Sequence, residues 1–235
     1  MTPVCSDRGS SPVEAVVFDL DGVLVESEAI WNAARKDIAL EHDGRWPPDA
    51  QRAMMGMSST EWSTYMHDQL GIAMAPEEIS EMVVGRLAAL YRDRLPLIPG
   101  ARETVLDLAA VWPLGLASSA NRPIIELVLE LTGLTDRFVA TVSSEEVPRG
   151  KPAPDVYLEA ARRLRTPARR CAAVEDSSNG IRSAAVAGMT VFAIPNRDFP
   201  PSEDALALAA EVLESITELT PERVKRVMAP RASSS

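Results

Sequence analysis

From Pro99 to Ile194 the sequence alternates short apolar runs with longer segments of helical spacing. The runs are Leu114 to Ala117, Phe138 to Val142, Cys171 to Val174 and Thr190 to Ile194, each bounded by turn or polar residues. Between and before them, Ala101 to Val111, Pro123 to Leu131, Pro154 to Leu164 and Gly180 to Ala187 read as helices, the last closed by Gly188. Strands joined through helices run parallel, so this rhythm requires a parallel sheet with helices on both faces. The run Ala15 to Phe18 reads as a further strand of that sheet.

The stretch between Ser27 and Pro99 breaks the rhythm. Glu28 to Leu40, Ser59 to Leu70 and Pro76 to Tyr91 have helical spacing, and no strand is evident among them. It reads as a helical bundle inserted after the first strand, a common place for an α/β fold to vary its function. The segments near Val25 to Ser27 and Pro96 to Gly100 are its expected hinges. The tail from Ser202 to Val227 is expected to be helical and to cover the sheet edge. Residues 1–12 read as a flexible lead-in without an apolar signal core, and Pro230 to Ser235 as a disordered end.

The first strand stops at Asp19 and Asp21, followed by Gly22. Carboxylates at a strand end are costly to desolvate unless paired or bound to a cation. In an open parallel sheet, ligands bind beyond the carboxyl ends of the strands. Ser118 and Ser119 follow another strand there, and Glu175 and Asp176 follow a third. Lys151 lies just ahead of a helix. Hard oxygen donors, hydroxyls and one ammonium converging on one edge suit a phosphate and a divalent cation such as Mg²⁺. Ser177, Ser178 and Asn179 are expected to cap the following helix, and Gly22 to permit a turn.

The net charge of −10 argues against non-specific binding to nucleic acid or to an anionic membrane. Cys5 and Cys171 make no disulfide framework, and His42 and His67 lack a partner at metal-ligand spacing. No apolar run has the length of a membrane span, so a cytoplasmic protein is expected.

The stretches FDLDGVLVESE, LASSAN, GKPAPD and VEDSSNGIRSA occur in that order. They resemble the motifs of the haloacid dehalogenase-like hydrolases. More narrowly they are similar to the branch that includes β-phosphoglucomutase, which inserts a helical cap after its first motif. The resemblance spans roughly Ala15 to Ile194. It implies a doubly wound, parallel, five-stranded Rossmann-like α/β core from residues 1–26 and 97–235, with an all-α helical cap from 27–96. It implies a Mg²⁺-dependent phosphatase acting on a small phosphorylated metabolite, a monoester such as a sugar phosphate, through an aspartyl-phosphate. Asp19 matches the nucleophile and Asp21 the general acid and base. Ser118, with Ser119 beside it, and Lys151 match the groups that hold the phosphoryl. Asp176 matches the Mg²⁺ ligand, joined by the Asp19 carboxylate and the Asp21 main-chain carbonyl, with Glu175 assisting through water.

In the cap, Trp31 and the turn Gly56-Met57-Ser58 are expected to face substrate. The chain also departs from the branch. Glu26 stands where an aspartate usually precedes the serine that opens the cap. Trp31 and Ser59 stand where the mutase has a histidine and a phosphate-gripping arginine. That difference favours hydrolysis over a phosphoglucomutase-type isomerisation. A phospho-accepting receiver domain is a third reading, opposed by the inserted cap and by Asp21. A monomer is expected.

Overall fold

The computed structural model describes residues 13–54, 57–197 and 199–229. The expectations for the lead-in, for Gly56 and for the last residues lie outside them. All strands are parallel, in the order β3-β2-β1-β4-β5-β6. They are β1 (Ala15–Phe18), β2 (Leu114–Ser118), β3 (Phe138–Ser143), β4 (Cys171–Glu175), β5 (Thr190–Ala193) and β6 (Glu211–Val212). The fold class is the one expected, with one strand more.

β6 is a correction to the helical tail. The tail forms α9 (Glu203–Leu206), then β6, then α10 (Pro221–Met228). Without β6 the outer edge of β5 would present unpaired N–H and C=O groups, a liability in any sheet. Phe192 and Ala193 of β5 pair with Glu211 and Val212, and Leu213 N–H donates to Ala193 C=O at 2.8 Å. This tertiary pairing outweighs a local helical pattern. α10 begins at Pro221, and Thr220 caps it by accepting from Arg223 N–H at 3.2 Å.

Both faces of β1 are buried, and its residues alternate between two apolar cores. Val16 and Phe18 join the core formed with α5 (Ala101–Ala109), α6 (Arg122–Thr132) and α10. Ala15 and Val17 join the core under α7 (Asp155–Arg163) and α8 (Ser178–Val186). β1 lies between β2 and β4, where the strand order reverses. That switch point is where a crevice opens at the carboxyl ends of an α/β sheet. Asp19 is the first residue past β1 at this point.

The inserted segment forms α1 (Glu28–Glu41), α2 (Ala50–Met54), α3 (Ser59–Asp68) and α4 (Pro76–Asp93). α2, short and following Pro47-Pro48, was not evident in the sequence. The four helices share an interior of Trp31, Ile38, Trp62, Met66, Val83 and Tyr91, continuous with the core on one face of the sheet. The chain passes between sheet and helices twice, and the two passages are tied together. Glu26 N–H donates to Pro96 C=O at 2.8 Å, and Ile98 N–H donates to Leu24 C=O at 2.9 Å. Among the described residues no helix is long and apolar enough to cross a membrane.

α1 turns Glu28, Trp31, Arg35 and Ile38 to one face, at i, i+3, i+7 and i+10. Ile38 is 1% exposed, whereas Leu40 is 54% exposed. Ile38→Ala is therefore expected to cost about 2–5 kcal/mol of unfolding free energy, and Leu40→Ala within about 0.5 kcal/mol. Urea unfolding monitored by circular dichroism checks this. Equal losses at the two positions would mean that α1 presents a different face to the core.

Candidate active site

β1 and β4 end side by side, so Asp19 and Glu175–Asp176 leave the sheet as neighbours. Lys151 reaches them from the loop before α7. Its Nζ donates to Asp19 Oδ1 at 2.8 Å and to Glu175 Oε1 at 2.6 Å. Tyr157 of α7 donates its hydroxyl to the same Glu175 oxygen at 2.7 Å. The other oxygen, Oε2, accepts from the N–H groups of Asp176 and Ser177 at 3.1 and 3.3 Å. Glu175 is thus fully enclosed and fixed on every side. Gly180 packs against it so closely that a Cβ would overlap the carboxylate.

Gly22 does the same for Asp176. Its φ is +75°, and a Cβ there would overlap the Asp176 carboxylate. Only glycine combines the left-handed turn with that approach. The turn sends Asp21 up beside the cavity. Asp21 Oδ1 accepts from Trp31 Nε1 at 3.1 Å, and Ser118 Oγ points at Oδ2 from 3.5 Å. Ser118 Oγ also accepts from Ala120 N–H at 3.0 Å. Ser177 accepts from Gly180 N–H at 3.1 Å and so caps α8, as expected.

Above these groups lies a cavity of about 580 Å³, whose lining includes Asp19, Asp21, Ser119, Lys151 and Asp176. Trp31 of α1 also lines it. Ser58 does not. Its N–H and hydroxyl both donate to Glu61 at the start of α3, whereas Met57 of the same turn lines the cavity. Ser59 faces the sheet layer, donating to Glu145 Oε1 at 2.5 Å. His42 and His67 are outside the lining.

Asp19, Glu175 and Asp176 each offer a carboxylate oxygen, all within 4.8 Å of one another. One ammonium cannot neutralise all three carboxylates where burial leaves them so little water. Burial, opposed by Lys151 and reinforced by Glu175 and Asp21, pushes the Asp19 carboxyl up to about 8. Burial, with Glu175 and Asp19 beside it, likewise raises Asp176 well above the carboxylate range. Burial alone would lower Lys151, but Asp19 and Glu175 outweigh it and hold the ammonium above its ordinary range. The excess negative charge is what a divalent cation removes, so hard oxygen donors in this cluster fit Mg²⁺. The Glu175 oxygens are already occupied, which leaves Asp19 and Asp176 as the freer carboxylates.

Sequence reasoning missed Glu28, Arg35, Arg52, Trp62 and Phe199, all of which line the cavity. Arg35 is only 6% exposed, and burial, opposed by Glu28 and Asp21, pushes its guanidinium down to about 10. A signal was present: Arg35 falls on the apolar face of α1, four residues after Trp31, where a cation is out of place. Tyr157 of α7 carried no signal, because its partner, Glu175, lies on a separate element, the end of β4.

The haloacid dehalogenase-like hydrolase model matches residues 13–188 of the chain. Hexitol phosphatase B of Escherichia coli (strain K12) is 33% identical over 212 residues, covering 88% of this chain and 94% of that protein. A probable pseudouridine-5'-phosphatase of Drosophila melanogaster is 31% identical over 214 residues, covering 88% and 91%. Among solved structures, CbbY of Rhodobacter sphaeroides in complex with phosphate is similar, with a TM-score of 0.82, 25% identity, and coverage of 91% of this chain and 99% of that one. The β-phosphoglucomutase of Clostridium difficile shares the fold, with a TM-score of 0.78, 22% identity, and coverage of 92% and 97%. The chain belongs to the haloacid dehalogenase-like hydrolases.

Proposed function

We propose that the protein is a Mg²⁺-dependent phosphatase that hydrolyses a small phosphate monoester, a sugar phosphate, through an aspartyl-phosphate on Asp19. The observation that supports this most is the Lys151 ammonium, shared between Asp19 and Glu175 at the foot of the cavity. The named activities of the relatives, on hexitol phosphates and pseudouridine 5'-phosphate, point the same way.

An anionic nucleophile approaches a phosphate dianion only where fixed positive charge screens the repulsion. Lys151 supplies part of it while holding Asp19 in place. The Asp19 carboxylate attacks phosphorus, the P–O bond to the sugar breaks, and Asp21 gives its proton to the departing alkoxide. Asp21 then takes a proton from water, whose oxygen attacks the aspartyl-phosphate and returns Asp19 and inorganic phosphate. Trp31 keeps Asp21 aimed by its 3.1 Å hydrogen bond. Ser118, Ser119 and Lys151 bind the oxygens of the transferring group. Asp19, Asp176 and the Asp21 main-chain carbonyl would hold Mg²⁺, with Glu175 behind them. When bound, the ion offsets the remaining negative charge of the site and of the phosphoryl.

The helices α1–α4 act as a cap on residues 27–96, hinged where Glu26 meets Pro96 and Leu24 meets Ile98. The protein is taken to work as a cytoplasmic monomer. The sequence argument against a mutase loses some force, since Arg35 brings a cation to the cavity from α1 although position 59 does not. Hydrolysis remains the better reading because Trp31 occupies the mutase histidine position and binds Asp21 itself.

With Mg²⁺ present, the wild type is expected to release inorganic phosphate from hexose or hexitol phosphates, and EDTA to abolish release. Interconversion of glucose 1-phosphate and glucose 6-phosphate without phosphate release would favour the mutase instead. Asp19→Asn is expected to lower kcat by about 10⁴-fold or more. Lys151→Met should lower it about 10²- to 10³-fold. The same variant leaves Glu175 buried without its cation, so it should also lose about 3–5 kcal/mol of stability. Restoring that stability with the double variant Lys151→Met, Glu175→Gln would support the pairing; no recovery would argue against it. Mg²⁺ at about a hundred times Kd should stabilise the wild type by roughly 2.7 kcal/mol, and much less in Asp176→Asn.

A further inference from the structure

Phosphoryl transfer uses the floor of the cavity, where the strands end. The wall supplied by α1 and α3 is built differently. Glu28, Trp31 and Arg35 line it from one face of α1, and Trp62 lines it from α3. The Arg35 guanidinium carbon lies 4.7 Å from the Trp31 ring centroid and 5.0 Å from that of Trp62. The two indoles meet edge to face, 6.1 Å apart, so the side chain is held from both sides.

Aromatic faces offset part of the cost of burying a cation, but they accept no in-plane hydrogen bond. Arg35 Nε is buried without a partner. No carboxylate among the described residues comes within ion-pair distance of the guanidinium. Leaving buried donors of this kind unmatched is costly. Glu28, on the same face and lining the same cavity, is not its partner. Glu28 Oε2 accepts from Gln51 Nε2 at 2.7 Å, and Gln51 also bonds the Glu28 carbonyl, which fixes the carboxylate. A fixed acceptor and a fixed donor thus stand apart on one wall, each unspent toward the cavity.

A second phosphate or a carboxylate would suit Arg35, or the exposed Arg52 that lines the cavity from α2, but beside Arg35 it would meet the negative charge of Glu28. Hydroxyl groups suit both, since each can donate to Glu28 and accept from Arg35. The C–H surface of a carbon chain suits the indoles. We propose that Glu28 and Arg35 form a hydroxyl-reading subsite, walled by Trp31 and Trp62, that holds the polyol part of a neutral sugar or sugar-alcohol chain and determines substrate choice. This rests on the phosphatase reading for the position of the phosphate, and it adds that the end remote from the phosphate is polyhydroxylated and uncharged.

Binding to the inactive Asp19→Asn protein tests the subsite apart from turnover. Isothermal titration would compare a hexitol 6-phosphate, hexyl phosphate, which lacks the hydroxyls, and hexose 1,6-bisphosphate. The hexitol ester is expected to bind at least about tenfold more tightly than either of the others. Adding Arg35→Lys or Glu28→Gln should shrink that preference by about tenfold, more than it changes binding of hexyl phosphate. If Arg35→Lys does not fold, Glu28→Gln carries the comparison. Equal affinities for the hexitol and hexyl esters, or a preference unchanged in both variants, would overturn the subsite. Tightest binding of the bisphosphate would overturn it in favour of an anion site. The preferred binding of the hexitol ester would uphold the subsite even if the wild type released no phosphate, and that result would reject the phosphatase reading alone.

Discussion

The Lys151 ammonium sits 2.8 Å from one carboxylate and 2.6 Å from another, closed off from solvent. Either carboxylate alone would be strongly destabilising in that place, and so would the lysine. Together they hold, and the rest of the site is arranged around them. Glu175 is fastened by Tyr157 and by the backbone N–H groups that begin the turn into α8. That leaves the ammonium one fixed position, and the ammonium in turn fixes Asp19. Parallel pairing of β1 with β4 sets the distance between the two strand ends. The sheet and the Lys151 ammonium together thereby fix the Asp19 carboxylate, the proposed nucleophile.

The excess of negative charge in the same cluster is a consequence of that design. Asp19 and Asp176 are both driven toward protonation by burial among like charges. On the proposed function, a cation present with a phosphorylated substrate would supply the charge that balances this cluster. A carboxylate buried at a cost gains most when an opposing charge arrives. The cap contributes in a second way. Trp31 belongs to α1 yet binds Asp21, so helix and sheet share one hydrogen bond across the cavity.

Much of this was legible in the sequence because the carrying residues mark strand ends. Asp19, Asp21, Ser118, Asp176 and Lys151 interrupt apolar runs or open helices, where a polar group is costly to bury unless it meets a partner or a ligand. The sheet was legible for the same reason. β6 was not, since a two-residue strand has no period of its own and exists only because β5 has an open edge. Arg35 was hidden among the apolar residues of α1, where helical spacing reads as core. Ser58 shows the opposite case: it follows Met57, which lines the cavity, but its hydroxyl donates to Glu61 within its own helix start. Cap geometry depends on how four helices pack, and that is set by contacts too distant in sequence for spacing to reveal.

Of the two carboxylates that Lys151 holds, the proposed mechanism has Asp19 alone receive the phosphoryl group. Mass spectrometry of peptides from protein quenched in acid during turnover tests it directly, with Asp21→Asn used to slow breakdown of the intermediate. The expected result is a single phosphoryl group on the peptide that carries Asp19, retained longer in the variant. A phosphoryl group on a different residue, or none at any time while phosphate is released at the full rate, would contradict it.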